Sequence, residues 1–159
     1  MNSEPDKLRV RLMAEADVDR VLKIAGRLPG APQWPRDAYV AALASGAAPR
    51  RIALVAEVQP GGEVVGFAVA SLLPPEAELE TIAVMAGSQR RGIARELFRA
   101  LATELRSGAV DVILLEVRAS NERAQAFYRS LGFTGAGRRP GYYDDPVEDA
   151  LLMRLELQP

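Results

Sequence analysis

Glu116 is a carboxylate at the end of an apolar run, Val112-Ile113-Leu114-Leu115. An ionised side chain inside such a strand costs free energy unless it is paired or put to use. Arg118 and Arg123 are the local candidates for pairing; use would make Glu116 a proton acceptor. Tyr128 stands beside Phe127 at helical spacing, where by itself an aromatic reads as core. Glu78 and Glu80 share one face of an earlier strand by simple alternation and compete with Glu116 for the basic role. The chain contains no His and no Cys. That excludes a thiolate nucleophile, a Cys-liganded metal, a disulfide framework and a Ser-His-Asp triad. Proton transfer near neutrality then falls to carboxylates, Tyr, Lys, water or the backbone.

A second stretch is suited to phosphate. Ile82-Ala83-Val84 closes a strand, and after a short turn Gln89-Arg90-Arg91-Gly92-Ile93-Ala94-Arg95 leads into a helix. The first N–H groups of a helix have no intrahelical partner and carry the positive end of its dipole. Gly92 and Ala94 are small enough to let a pyrophosphate reach that backbone. Arg91, Arg95 and Arg99 recur every four residues, which on one helix face would reach outlying phosphates. The plainer alternative is a tight turn whose glycine serves packing. No Gly-Lys-Ser/Thr is present, so this is not a Walker loop, and it lacks the three glycines of a dinucleotide fingerprint.

The elements that must carry these residues follow from periodicity. Residues 8–12 alternate as a strand, and 15–28 place Val18, Val21, Leu22 and Ala25 at helical spacing before the breaker Pro29-Gly30-Ala31-Pro32. Pro35 opens a second helix with Tyr39, Val40 and Leu43 on one face and Gly46 at its end. Residues 51–58 and 63–73 form a hairpin about Pro60-Gly61-Gly62, and 76–85 a further strand. Residues 91–106 read as a long helix with a stripe of Ile93, Leu97, Phe98, Leu101 and Leu105. Residues 110–117 are apolar enough for a strand buried on both faces. Ser120 or Asn121 caps a helix whose inner face is Ala124, Phe127, Tyr128 and Leu131, stopped by Gly132. Strands from Phe133 onward and over 150–157 complete a β-α-α-β-β-β-α-β-α-β-β order, a mixed α/β sandwich about one sheet. A polar loop with Tyr142, Tyr143, Asp144, Asp145, Glu148 and Asp149 joins the last two strands. It would attract a basic substrate tail, or it is simply solvated.

At 159 residues the chain has the length of one domain, spanning 1–159 with residues 1–7 expected as a flexible tail. Hydrophobic residues make up 48%, enough for one core without a metal or disulfide staple. A net charge of -1 provides no broad basic field, so direct binding of nucleic acid is not expected. The first residues are polar rather than a signal peptide, and no apolar run is long enough for a bilayer. The expectation is a cytoplasmic protein without membrane contact. No oligomeric state is dictated.

Several of these stretches together resemble the GNAT superfamily of N-acetyltransferases. They are Glu78-Leu79-Glu80-Thr81-Ile82-Ala83-Val84, the turn from Gln89 to Ala94, and Leu115-Glu116-Val117-Arg118-Ala119-Ser120-Asn121. The superfamily's pyrophosphate signature, Gln/Arg-x-x-Gly-x-Gly/Ala, is matched from Gln89 to Ala94. Phe127-Tyr128-Arg129-Ser130-Leu131-Gly132-Phe133 and Arg138-Arg139-Pro140-Gly141-Tyr142-Tyr143 resemble one subfamily, the bacterial ribosomal-protein alanine N-acetyltransferases. The resemblance runs from about residue 8 to 157 and is densest after Leu79.

It implies a splayed, V-shaped opening between the strand ending at Val84 and the strand ending at Val117, in which acetyl-CoA lies. Its pantetheine would pair with Ile82, Ala83 and Val84, its pyrophosphate would sit on the amides from Arg90 to Arg95, and Asn121 would touch the cofactor. Glu116 matches the subfamily's general base and Tyr128 its general acid; Glu78 matches the base of related histone acetyltransferases. Trp34, Glu78, Tyr142 and Tyr143 fall on the acceptor side. The implied reaction is direct acetyl transfer, in a ternary complex, to a protein N-terminus, that of a small-subunit ribosomal protein beginning with Ala. No metal is implied. Alternatives are a small-molecule amine as acceptor, or a CoA-binding module without turnover.

Overall fold

The computed structural model describes residues 7–28 and 30–158. The expected tail falls almost wholly outside them, and its last residue, Lys7, belongs to the first strand. The elements are β1 (Lys7–Leu12), α1 (Val18–Gly26), α2 (Arg36–Leu43), β2 (Arg50–Gln59), β3 (Glu63–Leu73) and β4 (Glu76–Val84). They continue with α3 (Ile93–Ser107), β5 (Val112–Arg118), α4 (Glu122–Ser130), β6 (Thr134–Tyr143) and β7 (Glu148–Glu156). The expected order and α/β class hold. The seven strands form one sheet in the order β1-β2-β3-β4-β5-β7-β6. All pairings are antiparallel except β4 with β5.

Helices cover both faces. On one side α3 presents Leu97, Leu101 and Leu105, all fully buried, to Leu54, Ala68, Leu79, Ile113 and Met153 of the sheet. Each such leucine stabilises the fold by about 1.5–3 kcal/mol. On the other side Val18, Val21 and Ile24 of α1 and Tyr39 of α2 pack on Val55, Phe67 and Val69. Gly66 of β3 lies beneath α3, where a Cβ would come within 2.9 Å of the Ala83 carbonyl oxygen. No side chain fits there without moving backbone.

Helix ends depart from the sequence expectation for local reasons. The first helix is preceded by a separate 3-10 turn, Glu15–Asp17. Asp17 accepts from the Ala14 N–H at 2.8 Å and binds Arg11 through both oxygens, at 2.8 and 2.9 Å, which tightens the entry. α2 stops at Leu43 because Ala44 turns extended, with ψ 135. α3 begins at Ile93 rather than Arg91, since Arg90 and Gly92 are left-handed, with φ 65 and 77. α4 is capped by Asn121, whose Oδ1 accepts the Ala124 N–H at 3.1 Å.

The feature that shapes the site is a split in the sheet. β4 and β5 pair only at Glu76↔Val112, Ala77↔Ile113 and Glu78↔Leu114. Beyond that, β4 stays with β3 and β5 with β7. The β3–β4 register shifts where Val69 faces Thr81 and Ala70 faces Leu79, leaving Glu80 as the extra residue. A bulge of this kind bends its strand, here at the point where the two edges part. The expectation that β5 is buried on both faces is corrected by the same split. Ile113, Leu115 and Val117 are buried, but Val112, Leu114, Glu116 and Arg118 are half-buried, because no helix covers their side of the sheet where the strands diverge.

Candidate active site

The split opens into a cavity of about 1120 Å³, roomier than the pockets that enclose most small ligands. One wall is the free edge of β4. Met85 gives its N–H to the Val65 carbonyl at 2.9 Å, on the β3 side. Backbone groups alternate sides along a strand, so Ile82 and Val84 turn theirs to the open edge. Ala83 does the reverse, its carbonyl lying against Gly66 of β3. The Val84 carbonyl is already taken: Gln89 Nε2 donates to it at 2.9 Å, while Gln89 Oε1 accepts from Arg123 at 3.1 Å. Gln89 thus ties the end of β4 to the start of α4, a bridge that the sequence did not disclose.

Below this edge lies the start of α3. Its N-cap, Gly92, supplies no side-chain bond to the first turn, so the amides of Ile93, Ala94 and Arg95 keep their donors for a ligand. The left-handed pair Arg90 and Gly92 curls the preceding loop in the alternating manner that gathers N–H groups into anion-binding concavities. Arg90, Gly92, Ile93, Ala94, Arg95 and Asn121 all line the cavity; Arg91 does not. The expected three-arginine face is therefore broken. Arg91 precedes the helix, Arg99 pairs with Glu96 at 2.7 Å, and Arg95 bonds Ser130 at 2.9 Å.

The opposite wall carries the titratable groups. Glu116 is 16% exposed and pairs with Arg139 Nη1 at 3.4 Å, rather than with Arg118 or Arg123. Arg139 also lies over the Tyr142 ring, 5.5 Å from its centroid. The Tyr142 phenol is raised above its ordinary pKa, first by its hydroxyl's contact with the Glu116 carboxylate and then by its own burial. Tyr143 meets Tyr142 edge-on at 5.0 Å. Its own pKa is raised by burial and by Glu116, against the pull of Arg118. Tyr128 packs between Phe127 and Phe133, and burial pushes its phenol up to about 12, so it remains a protonated donor at neutral pH.

Glu80 is occupied by Arg51, at 2.9 and 3.3 Å. Glu78 faces the cavity, and burial together with the Glu116 and Glu80 carboxylates raises its pKa, against the opposing influence of Arg139 and Arg51. Trp34 is absent from the cavity wall. It packs on Tyr39 at 5.2 Å, with Arg51 6.0 Å from its ring. The neighbouring Gly30, Ala31, Pro32 and Gln33 form that part of the wall instead. Among the described residues, no group of three or more His, Cys, Asp or Glu is arranged to hold a metal ion, and no helix is long and apolar enough to cross a membrane.

The family model described as the acetyltransferase (GNAT) family matches residues 18–133, which include the β4 edge, the α3 start and Glu116. The chain belongs to this family. It is 37% identical over 161 residues to the N-alpha-acetyltransferase RimI of Mycobacterium tuberculosis, covering 98% of this chain and 97% of the relative. It is 43% identical over 98 residues to the [ribosomal protein bS18]-alanine N-acetyltransferase of Escherichia coli K12, covering 60% and 66% of the two chains. The crystal structure of the Escherichia coli ribosomal-protein-S18-alanine N-acetyltransferase superposes with a TM-score of 0.82 at 31% identity, over 96% of each chain. The chain is an acetyltransferase with the GNAT fold.

Glu78 lines the cavity without an ion-pair partner among the described residues, and this has a measurable cost. A carboxyl whose folded pKa is raised contributes most below its unfolded pKa and loses that contribution as pH rises through the folded value. Glu78→Gln is therefore expected to melt higher than the parent at pH 7. The difference should shrink as the pH falls through the ordinary Glu range and close by about pH 3, where the parent carboxyl is protonated in both states. Thermal melts across that range check the sign; a variant less stable at pH 7 would contradict it.

Proposed function

We propose that the protein transfers acetyl from acetyl-CoA to the N-terminal α-amine of a protein, and that its acceptor is a small-subunit ribosomal protein beginning with alanine, modified in the cytoplasm. The observation that carries this reading is the single cavity that joins the free β4 edge and the uncapped start of α3 to the Glu116–Tyr142–Tyr143 wall. Its lining has backbone suited to a long cofactor along β4 and α3 and tyrosines suited to a peptide end on the facing wall. The names of the Mycobacterium and Escherichia relatives support the choice of acceptor.

The donor set fits acetyl-CoA. The amides of residues 93–95 with Gly92 suit the diphosphate, and the outward-turned groups of Ile82 and Val84 suit an amide-bearing arm. When bound there, acetyl-CoA supplies an acetyl thioester. Glu116 accepts a proton from the acceptor ammonium, directly or through one water, which frees the nitrogen lone pair to form the new N–C bond. As the C–S bond breaks, Tyr128 gives its phenolic proton to the departing sulfur. Tyr142 and Tyr143 flank the amine and the first residues behind it. With no His or Cys in the chain, neither a thiolate nor a His-activated hydroxyl is present to take the acetyl group, which favours direct transfer over an acyl-enzyme.

The test is mass spectrometry of protein N-termini from cells with and without the gene, followed by the purified protein with acetyl-CoA and a peptide bearing the alanine terminus of a small-subunit ribosomal protein. Acetylation of that terminus, and none when the α-amine is blocked and only lysine remains, is the expected result. Transfer to small amines but not to peptides would favour a small-molecule acceptor. Acetyl-CoA binding without thiol release on any amine would reduce the protein to a binding module.

A further inference from the structure

Arg118 is the last residue of β5, two positions beyond Glu116 and on the same side of the strand by alternation. Its own backbone is pinned: Gln125 Nε2 donates to the carbonyls of Arg118 and Ala119 at 3.1 and 3.0 Å, and the Ala119 N–H bonds the Asp149 carbonyl at 3.0 Å. From this fixed base the guanidinium crosses to the β6–β7 connection. It donates to the carbonyls of Asp144 at 3.1 Å and Pro146 at 3.3 Å. It lies 4.4 Å from the centroid of the Tyr143 ring. It also stands 3.6 Å from Glu148 Oε1, a buried oxygen with no hydrogen bond among the described residues.

The two carbonyls flank Asp145, which is left-handed with φ 50. A non-glycine residue keeps such a conformation only where its surroundings over-determine it. Arg118 supplies that constraint from both sides. The acidic loop is otherwise less free than its composition suggests. Asp149 is bound to Arg138 at 2.6 Å and to the Gly141 N–H at 2.9 Å, and Glu148 faces Arg118. That leaves Asp144 and Asp145 as the loop carboxylates on the cavity wall.

We propose that Arg118 is a positioning residue for the acceptor. It holds Tyr143, Asp144 and Asp145 in one arrangement, so that the peptide behind the reacting amine meets a preformed wall attached to the same strand as Glu116. A planar fork is required: lysine keeps the charge against Glu148 but cannot span two carbonyls and an aromatic face at once. The proposal rests on the acceptor reading given above and concerns the peptide side of the cavity alone.

The experiment compares Arg118→Met, Arg118→Lys and the double variant Arg118→Met/Glu148→Gln by steady-state kinetics on the alanine-terminated peptide and by hydrogen exchange. In all three the KM for peptide should rise about tenfold or more, with the KM for acetyl-CoA unchanged, and the amides of residues 143–145 and 147 should exchange faster. The lysine variant and the double variant, which remove the stranded Glu148 charge problem in different ways, should melt near the parent and still show the raised peptide KM. A folded variant with the parent's peptide KM and unchanged exchange in the loop overturns the proposal, as does an equal rise in both KM values. If the parent protein acetylates no peptide, the acceptor reading fails, and the exchange data still judge whether Arg118 holds the loop.

Discussion

Glu116→Gln is expected to lower kcat/KM for an N-terminal peptide by about 10²–10⁴-fold, the usual worth of a positioned general base. The substitution keeps the shape of the side chain and leaves Arg139 and Tyr142 something to bond, so the fold should survive. What it removes is the ability to take a proton from an ammonium. The rival base is Glu78 on the facing strand. Both carboxylates reach the cavity, but their surroundings differ. Glu116 is half-buried and pairs with the Arg139 guanidinium at 3.4 Å on the wall that also carries Tyr142 and Tyr143. Glu78 is pushed toward its neutral form by burial and by its acidic neighbours. The comparison is the pH dependence of kcat/KM for Glu116→Gln and Glu78→Gln side by side. An active Glu116→Gln protein with an inactive Glu78→Gln protein would move proton abstraction to β4.

Tyr128→Phe should reduce kcat by about 10²-fold or more with little effect on either KM. The ring contacts with Phe127 and Phe133 survive in phenylalanine, so packing is kept and only the hydroxyl is lost. Its pKa of about 12 means that deprotonation cannot account for any loss of activity below strongly alkaline pH. A donor that protonates the leaving sulfur matters most when that thiolate is a poor leaving group. The deficit of Tyr128→Phe should therefore shrink with an acetyl thioester of a more acidic thiol. A deficit independent of the leaving thiol would assign Tyr128 to packing instead.

Away from the cavity, the same kind of charge pairing serves the fold. Arg11 joins β1 to Asp17 at 2.8 Å and to Glu57 of β2 at 3.0 Å, and its hydrogen bond holds the Asp17 carboxyl below its ordinary pKa. Asp17 and Glu57 are polar residues inside otherwise regular elements, and nothing in their spacing announced that they would share one guanidinium.

Local patterns carried a good deal of the reading. The order of elements, the α3 stripe from Ile93 to Leu105, the stop at Gly132 and the turn that leads from β4 into α3 depend on neighbours a few residues away, and periodicity records such neighbours directly. Glu116 was conspicuous for a similar reason, as a charge in an apolar run. Boundaries were less legible: α3 starts after Arg91 because two left-handed residues precede it, and dihedrals leave little trace in composition. The resemblance implied an opening between β4 and β5, but only the folded chain decided that they part after Glu78 and Leu114, that β7 enters the sheet between β5 and β6, and that Trp34 packs on Tyr39 instead of the cavity. It also brought Arg139 to Glu116, Gln89 across to Arg123, and Arg118 to the loop beyond Tyr143. Each of these joins residues far apart in the chain through geometry that the sheet order imposes. A one-dimensional pattern can show which groups are able to do chemistry, but the partners that orient them are chosen by packing.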